Sequence, residues 1–286
     1  MLKASDIPAG AQLLILPVNR TRVTAGYKNA AYLKGQGYGH YGIDYADPTP
    51  GTKPTVWASG SGTVVAVGMD KVLGNTVVVN YPKVYIPARG QVRDLVLRYN
   101  HLDSIAVKAG QKVTKDTPLG VMGMTGKEVT GVHLHLEVDT DTAHPLYSPT
   151  ISANSNIIKA GVRGAGDTTL DPSSVLVLKD TAPDNQTIIG DPRWPDWYSP
   201  TDMELPRWSE IYAEASSPET PADLTELLED AVEEIVHLTN RLAKVTAESD
   251  AALQGRDAAL ARAEAAEARV AAMLAGMQGL IDKYIK

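Results

Sequence analysis

The sequence has no cysteine. A disulfide framework is therefore excluded, and so is a thiolate metal site. Any metal in this protein must be held by histidine and carboxylate. Phenylalanine is absent as well, and no feature of the sequence accounts for that. Long apolar runs are missing, since nothing approaches the ~20 residues of a membrane-spanning helix. The apolar patch at residues 11–16 is short and lies between Pro8 and Pro17, which does not make a secretory signal. An excess of positive charge is missing too. The formal net charge is −7, whereas nucleic-acid binders usually carry a basic surface. The expectation is a soluble protein that binds no nucleic acid, spans no membrane and reaches any extracellular target by a route other than a signal peptide.

What is present begins with β pattern. The chain of 286 residues has room for one large domain or two smaller ones. Residues 1–35 read as an entry segment leading into a glycine- and tyrosine-rich loop. From Thr55 to Tyr99, short runs such as 63–67, 76–81 and 95–99 are rich in β-branched residues and separated by Gly and Asn turns. That is the signature of an antiparallel sheet. Two further short β segments fall at 107–113 and 118–123, and residues 131–138 follow.

This last stretch, Gly131-Val132-His133-Leu134-His135-Leu136-Glu137-Val138, sets two histidines one residue apart. On a strand, successive side chains point to opposite faces. His133 and His135 then share one face, and Leu134 and Leu136 share the other. A pair of imidazoles on a rigid strand is a base for a metal site. Two ordinary surface histidines on a half-exposed strand is an equally open reading. Upstream, His40 and Asp44 are four apart in a glycine-rich segment. In extended backbone they fall on one face, although a glycine loop carrying an incidental His and Asp has the same pattern. His101 sits just past a strand end, a frequent place for a functional side chain and also for a structural histidine.

Taken in order, these segments resemble the lysostaphin-like zinc endopeptidases of peptidase family M23. His40-Tyr41-Gly42-Ile43-Asp44 is similar to the family's H-x-G-x-D. Tyr99-Asn100-His101-Leu102 resembles Y-x-H-L, and His133-Leu134-His135-Leu136-Glu137 resembles H-L-H-x-E. The turns at 107–113 and 120–126 also fit, and the resemblance covers residues 22–139. Leu170-Asp171-Pro172 is similar to the segment that closes the family's domain, which makes residues 140–169 an insertion. The resemblance implies a mainly antiparallel β peptidase domain, a zinc ion and bacterial peptidoglycan as substrate. It implies His40, Asp44 and His135 as the zinc ligands and His101 and His133 as catalytic histidines. Three protein ligands would leave the fourth tetrahedral position open, as catalytic zinc sites do. Tyr38 and Tyr32 are candidates for a tyrosine that the family often places upstream of the first ligand. His144 and His237 are left over, and both are expected to be solvated.

The expected organisation is a peptidase domain over 1–180, an arm over 181–221 and a helix over 222–286. The arm holds seven prolines together with Trp194, Trp197 and Trp208. The prolines exclude regular structure, while so many tryptophans are foreign to a disordered linker. The arm is expected to dock, either on its own domain or on a partner or wall glycan. In the last segment, Leu228, Ile235 and Leu242 recur every seven residues alongside Leu224, Ala231, Leu238 and Val245. This is a coiled-coil seam, and a stutter at Ser249 resets it. The expectation is a homo-oligomer formed through this helix, or its docking to phage tail proteins. A helical hairpin turning near Gly255 is the alternative. The setting expected from these features is a phage virion, with the protein acting at the host cell wall. The competing settings are an endolysin held in the host cytoplasm until lysis and a structural tail protein using the fold as scaffold.

Overall fold

The computed structural model describes residues 2–127, 129–161, 166–179 and 186–213. The heptad segment, with its coiled-coil and oligomer expectations, and His237 lie outside the described residues. So does the end of the arm. The residues described here belong to one unit, Met1–Ser217.

A nine-stranded sheet organises that unit. In chain order its strands are β1 (Arg20–Ala25), β2 (Ile43–Ala46), β3 (Gly62–Asp70), β4 (Gly74–Ile86), β5 (Gln91–Leu102), β6 (Lys112–Val113), β7 (Leu134–Asp139), β8 (Thr169–Leu170) and β9 (Thr187–Gly190). Across the sheet they run β9-β1-β2-β7-β5-β4-β3-β6, and β8 also pairs with β7. Every pairing is antiparallel except β9 with β1. One helix, α1 (Ala30–Gln36), begins at Asn29, whose side chain accepts from the Tyr32 amide. It ends at Gly37, where φ is 81°, a left-handed conformation that glycine adopts without strain.

Alternation decides which side chains meet. Leu134, Leu136 and Val138 of β7 join Ile43, Tyr45, Val77, Val79, Leu95, Leu97 and Tyr99 in the main core. The opposite face of the same strands carries Asp44, His135, Glu137, Asp139, Arg98 and Asn100, all buried. That second face is covered. Residues 146–160 fold over it, and Ile151 and Ile158 pack with Leu73, Val78 and Val96 in a separate cluster. The buried Asp70 carboxylate ties this segment down by accepting from the amides of Val72, Leu73, Ile157 and Ile158. The half-exposed strand that the H-x-H alternation also allowed is therefore not what forms. All six residues of β7 are buried.

Three differences from the sequence reading have local causes. β1 lies in the stretch taken as an entry segment, although Arg-Thr-Arg-Val-Thr-Ala alternates correctly for a strand buried on one face. The strands β4 and β5 run on past Tyr81, because Pro82 sits at a register shift between Tyr81 and Val84, where a missing N–H is tolerated. The arm is not free of regular structure. β9 forms between Pro183 and Pro192, a 3-10 turn starts at Pro200, and residues Trp208–Ile211 make one helical turn. Proline is welcome in the first turn of a helix, so these prolines frame elements instead of forbidding them.

Candidate metal centre

The strand register brings the first cluster together. His135 on β7 lies directly opposite Asp44 on β2 and Asn100 on β5. His40 arrives from the loop after α1. Gly42, between His40 and Asp44, must be glycine, because a Cβ there would collide with the Leu136 carbonyl oxygen. The result is three buried donor atoms facing one another. His40 Nε2 is 3.0 Å from Asp44 Oδ1 and 3.0 Å from His135 Nδ1, and the latter is 2.8 Å from Asp44 Oδ1. Among the described residues these three form the group able to share one metal ion.

The outer side of each imidazole is anchored. His40 Nδ1 is 2.9 Å from the Gly26 carbonyl oxygen. A carbonyl only accepts, so this nitrogen carries the proton and Nε2 offers its lone pair inward. His135 Nε2 lies 3.1 Å from Glu137 Oε1. Carboxylate or carbonyl partners on the far nitrogen are what orient metal-binding histidines. Glu137 is held in turn by Arg98 Nη1 at 2.9 Å, by the Ser148 hydroxyl at 2.9 Å and by the Thr150 hydroxyl. Arg98 also grips Asp139 at 2.7 Å and donates to the Pro145 carbonyl oxygen.

The charges agree with a cation at this point. Burial by itself would raise the Asp44 pKa, yet His40 and His133 beside it hold the carboxyl well below its ordinary range. Burial would also raise Glu137, but His135 and Arg98 bring it down to about 2. His135 sits between these two carboxylates and, against the effect of burial, is raised to about 10. One carboxylate and two imidazoles converging without thiolate suit zinc. The spacing between donor atoms is slightly tighter than the ~3.3 Å edge of a tetrahedron with ~2.0 Å zinc bonds. The residues present therefore fit zinc.

His101 and His133 stand beside this trio, with their rings 4.8 Å apart. His101 holds φ at 63°, a conformation sparsely used outside glycine and found at functional sites. Its Nδ1 donates to the Thr125 carbonyl oxygen at 2.9 Å. Burial first, then the neighbouring His133 and His135, press its pKa down to about 3. His133 Nδ1 donates to the Gly131 carbonyl oxygen at 2.9 Å, and its Nε2 is 3.8 Å from Asp44 Oδ1. Both rings thus keep an Nε2 lone pair for the site. A groove of about 1030 Å³ opens over His40, Asp44, His101, His133 and His135.

Residues 38–146 match the model of peptidase family M23. They form a peptidase family M23 domain. All five residues named from the sequence lie within it. The chain is 40% identical over 99 residues to the peptidoglycan DD-endopeptidase ShyA of Vibrio cholerae, a match covering 35% of this chain and 20% of that protein. It is 33% identical over 126 residues to ShyB of the same organism, covering 43% and 26%. The chain thus spans a fifth to about a quarter of the length of these curated relatives. Among solved structures, a zinc-containing peptidase from Vibrio cholerae aligns with a TM-score of 0.36 at 32% identity, covering 45% of this chain and 37% of that one.

Several parts of the site lie outside the M23 match. Gly26 and Tyr32 precede it, and Ser148, Thr150, Trp194 and Trp197 follow it. Tyr32 packs its ring 4.7 Å from that of His40, and its hydroxyl is 3.4 Å from the hydroxyl of Tyr38. His144 is exposed and paired with Asp141 at 3.0 Å, away from the trio. Glu137 closes the H-L-H-x-E motif without a role of its own implied, and no motif includes Arg98. Nothing local to Arg98 distinguishes it from a surface arginine on a strand.

Arg98 makes a direct prediction. It is buried and neutralises two buried carboxylates. Arg98→Met keeps the volume and strands both charges, so unfolding in urea should show a loss of about 3–5 kcal/mol. An unchanged denaturation midpoint would mean that the ion pairs contribute nothing.

Proposed function

We propose that this chain is a zinc-dependent endopeptidase that hydrolyses peptide bonds of bacterial peptidoglycan. The observation that carries the reading is the convergence of His40 Nε2, Asp44 Oδ1 and His135 Nδ1 beside two histidines whose remaining nitrogens face the same groove. The peptidoglycan DD-endopeptidases among the relatives support the choice of substrate.

His40, Asp44 and His135 would hold the ion. When bound there, zinc supplies Lewis acidity, polarising a peptide carbonyl and lowering the pKa of a water towards ~7. The chain's own residues supply the proton traffic. His133 Nε2, nearest the trio, is placed to take a proton from the attacking water as its oxygen bonds to the carbonyl carbon. The same nitrogen returns that proton to the amine as the C–N bond breaks. His101 is neutral at pH 7, and its Nε2 lone pair orients the water by accepting its second hydrogen. The Gly131 and Thr125 carbonyls keep both rings in the tautomer these steps need.

Digestion of purified peptidoglycan with the zinc-loaded chain, followed by mass spectrometry, tests the reading. New amino and carboxyl termini within the cross-linked peptides are expected, whereas sugar-bond cleavage or no fragments would refute it. For the setting, we favour a self-associating wall hydrolase carried on a phage virion. What supports this is the heptad seam in the sequence of residues 222–286. The same digestion performed with fractionated virions checks it, because a protein released only at lysis would leave them inactive.

A further inference from the structure

Two tryptophans line one wall of the groove and take no part in the chemistry above. Trp194 and Trp197 stack with ring centroids 4.5 Å apart and planes within 16° of parallel. Trp197 meets Tyr32 edge-on at 5.0 Å, and Tyr32 in turn lies against His40 at 4.7 Å. The outer ring, Trp194, is 44% exposed. Both line the same groove as the five site residues, and Tyr38 lies beside them.

The shelf is built, not incidental. Asp191 is fully buried, and Arg193 binds it through Nε at 3.1 Å and Nη2 at 2.8 Å. Its carbonyl oxygen accepts from the Trp194 amide at 3.1 Å, and the Trp194 carbonyl accepts from the Trp197 amide at 3.1 Å. The Gly26 amide donates to the Trp197 carbonyl at 2.7 Å, on the same residue whose own carbonyl anchors His40. The platform and the first histidine thus share a support.

We infer that the Trp194–Trp197 shelf is a saccharide subsite, binding a pyranose ring of the glycan strand next to the peptide being cut. The inference rests on the peptidoglycan reading above. Its support is shape and charge. A flat, rigid indole face offers a large amphipathic surface at low entropic cost, which suits the flat apolar face of a sugar ring. An aliphatic side chain would prefer a concave pocket. The neighbouring Arg193 gives Nε and Nη2 to the buried Asp191, so part of its positive charge is neutralised there. Two rings, Trp197 and Tyr32, link the exposed Trp194 to His40 along the groove wall.

Full-length wild type and Trp194→Ala are compared on two substrates: intact cell-wall sacculi and a sugar-free cross-linked peptide dimer. The ratio of kcat/KM on sacculi to that on the dimer should fall about tenfold in the variant, as expected for one aromatic stacking contact. Trp194→Tyr should restore most of the ratio. An unchanged ratio would overturn the inference, including the case in which both rates fall together because the shelf holds peptide. In parallel, an N-acetylglucosamine tetramer is titrated into the full chain and heat is recorded. Saturable binding to wild type that is lost in Trp194→Ala is expected, and absence of binding to wild type overturns the subsite. This second arm needs no hydrolysis. If wild type cleaves neither substrate, the peptidase reading falls, and the titration alone decides the subsite.

Discussion

His135→Ala is expected to empty the centre of zinc and to abolish wall hydrolysis. The residue is the cross-strand partner of Asp44 and contributes one of the three converging donors. Without its Nδ1 only His40 and Asp44 remain, too few to hold zinc in competition with solvent. Loss of an outer-shell partner alone weakens metal binding about 10–100-fold, and loss of a ligand should exceed that. Elemental analysis should find about one zinc per chain in the wild type, as a single catalytic site requires, and almost none in the variant. Hydrolysis of sacculi should fall by a factor on the order of 10³ or more, since both the polarising charge and the activated water go with the ion. His144→Ala is the matched control, because this histidine is exposed, pairs with Asp141 and meets Tyr147 edge-on, away from the trio. Full lysis by a zinc-free His135→Ala protein would remove the metal mechanism altogether.

His133→Ala and His101→Ala are expected to behave differently from His135→Ala. Neither ring is among the three converging donors, and each turns Nδ1 to a backbone carbonyl. Zinc should therefore stay bound in both variants while kcat falls, by about 10²–10⁴ for a lost general acid–base group. The His133 effect should be the larger. Its Nε2 lies 3.8 Å from Asp44, beside the position where the water must sit. Burial holds His101 at a pKa of about 3, so it serves as a lone-pair acceptor and not as the main proton carrier. The decisive measurement is zinc content and kcat on the same samples. Loss of zinc together with activity would make these histidines ligands. Activity retained with zinc present would leave them without a chemical role.

How far the site could be read beforehand varies by residue. The H-x-H pair was legible because strand periodicity is local: two residues apart means one face. The pairing of His40 with Asp44 was not legible from periodicity, because His40 comes from the loop before β2. The separate duties of His133 and His135 are what the family resemblance implies. His135 stands in register with Asp44, while His133 lies one step before the strand begins. Arg98 was illegible, since an arginine amid Leu-Val-Leu-Arg-Tyr looks like the polar member of an alternating strand. Its burial depends on residues 146–160 closing over that face. Trp194 and Trp197 were conspicuous in the sequence, but only the edge-on contact of Trp197 with Tyr32 shows which surface they line.

By itself, the sequence determined the chemistry available. With no cysteine, only imidazole and carboxylate can hold a metal, and alternating β-branched strands place them on one face of a sheet. These are properties of composition and short-range periodicity, which need no knowledge of the rest of the chain. Only the tertiary structure decided which atoms converge, because the contact between Asp44 and His135 spans 91 residues. It also decided how the histidine rings are oriented, which follows from Gly26, Thr125, Gly131 and Glu137 at their outer nitrogens. Part of the groove's wall comes from segments beyond the M23 match, brought there by strand pairing and by Asp70 and Asp191. Such long-range pairing leaves no periodic trace in the sequence, since it depends on how whole strands and loops pack.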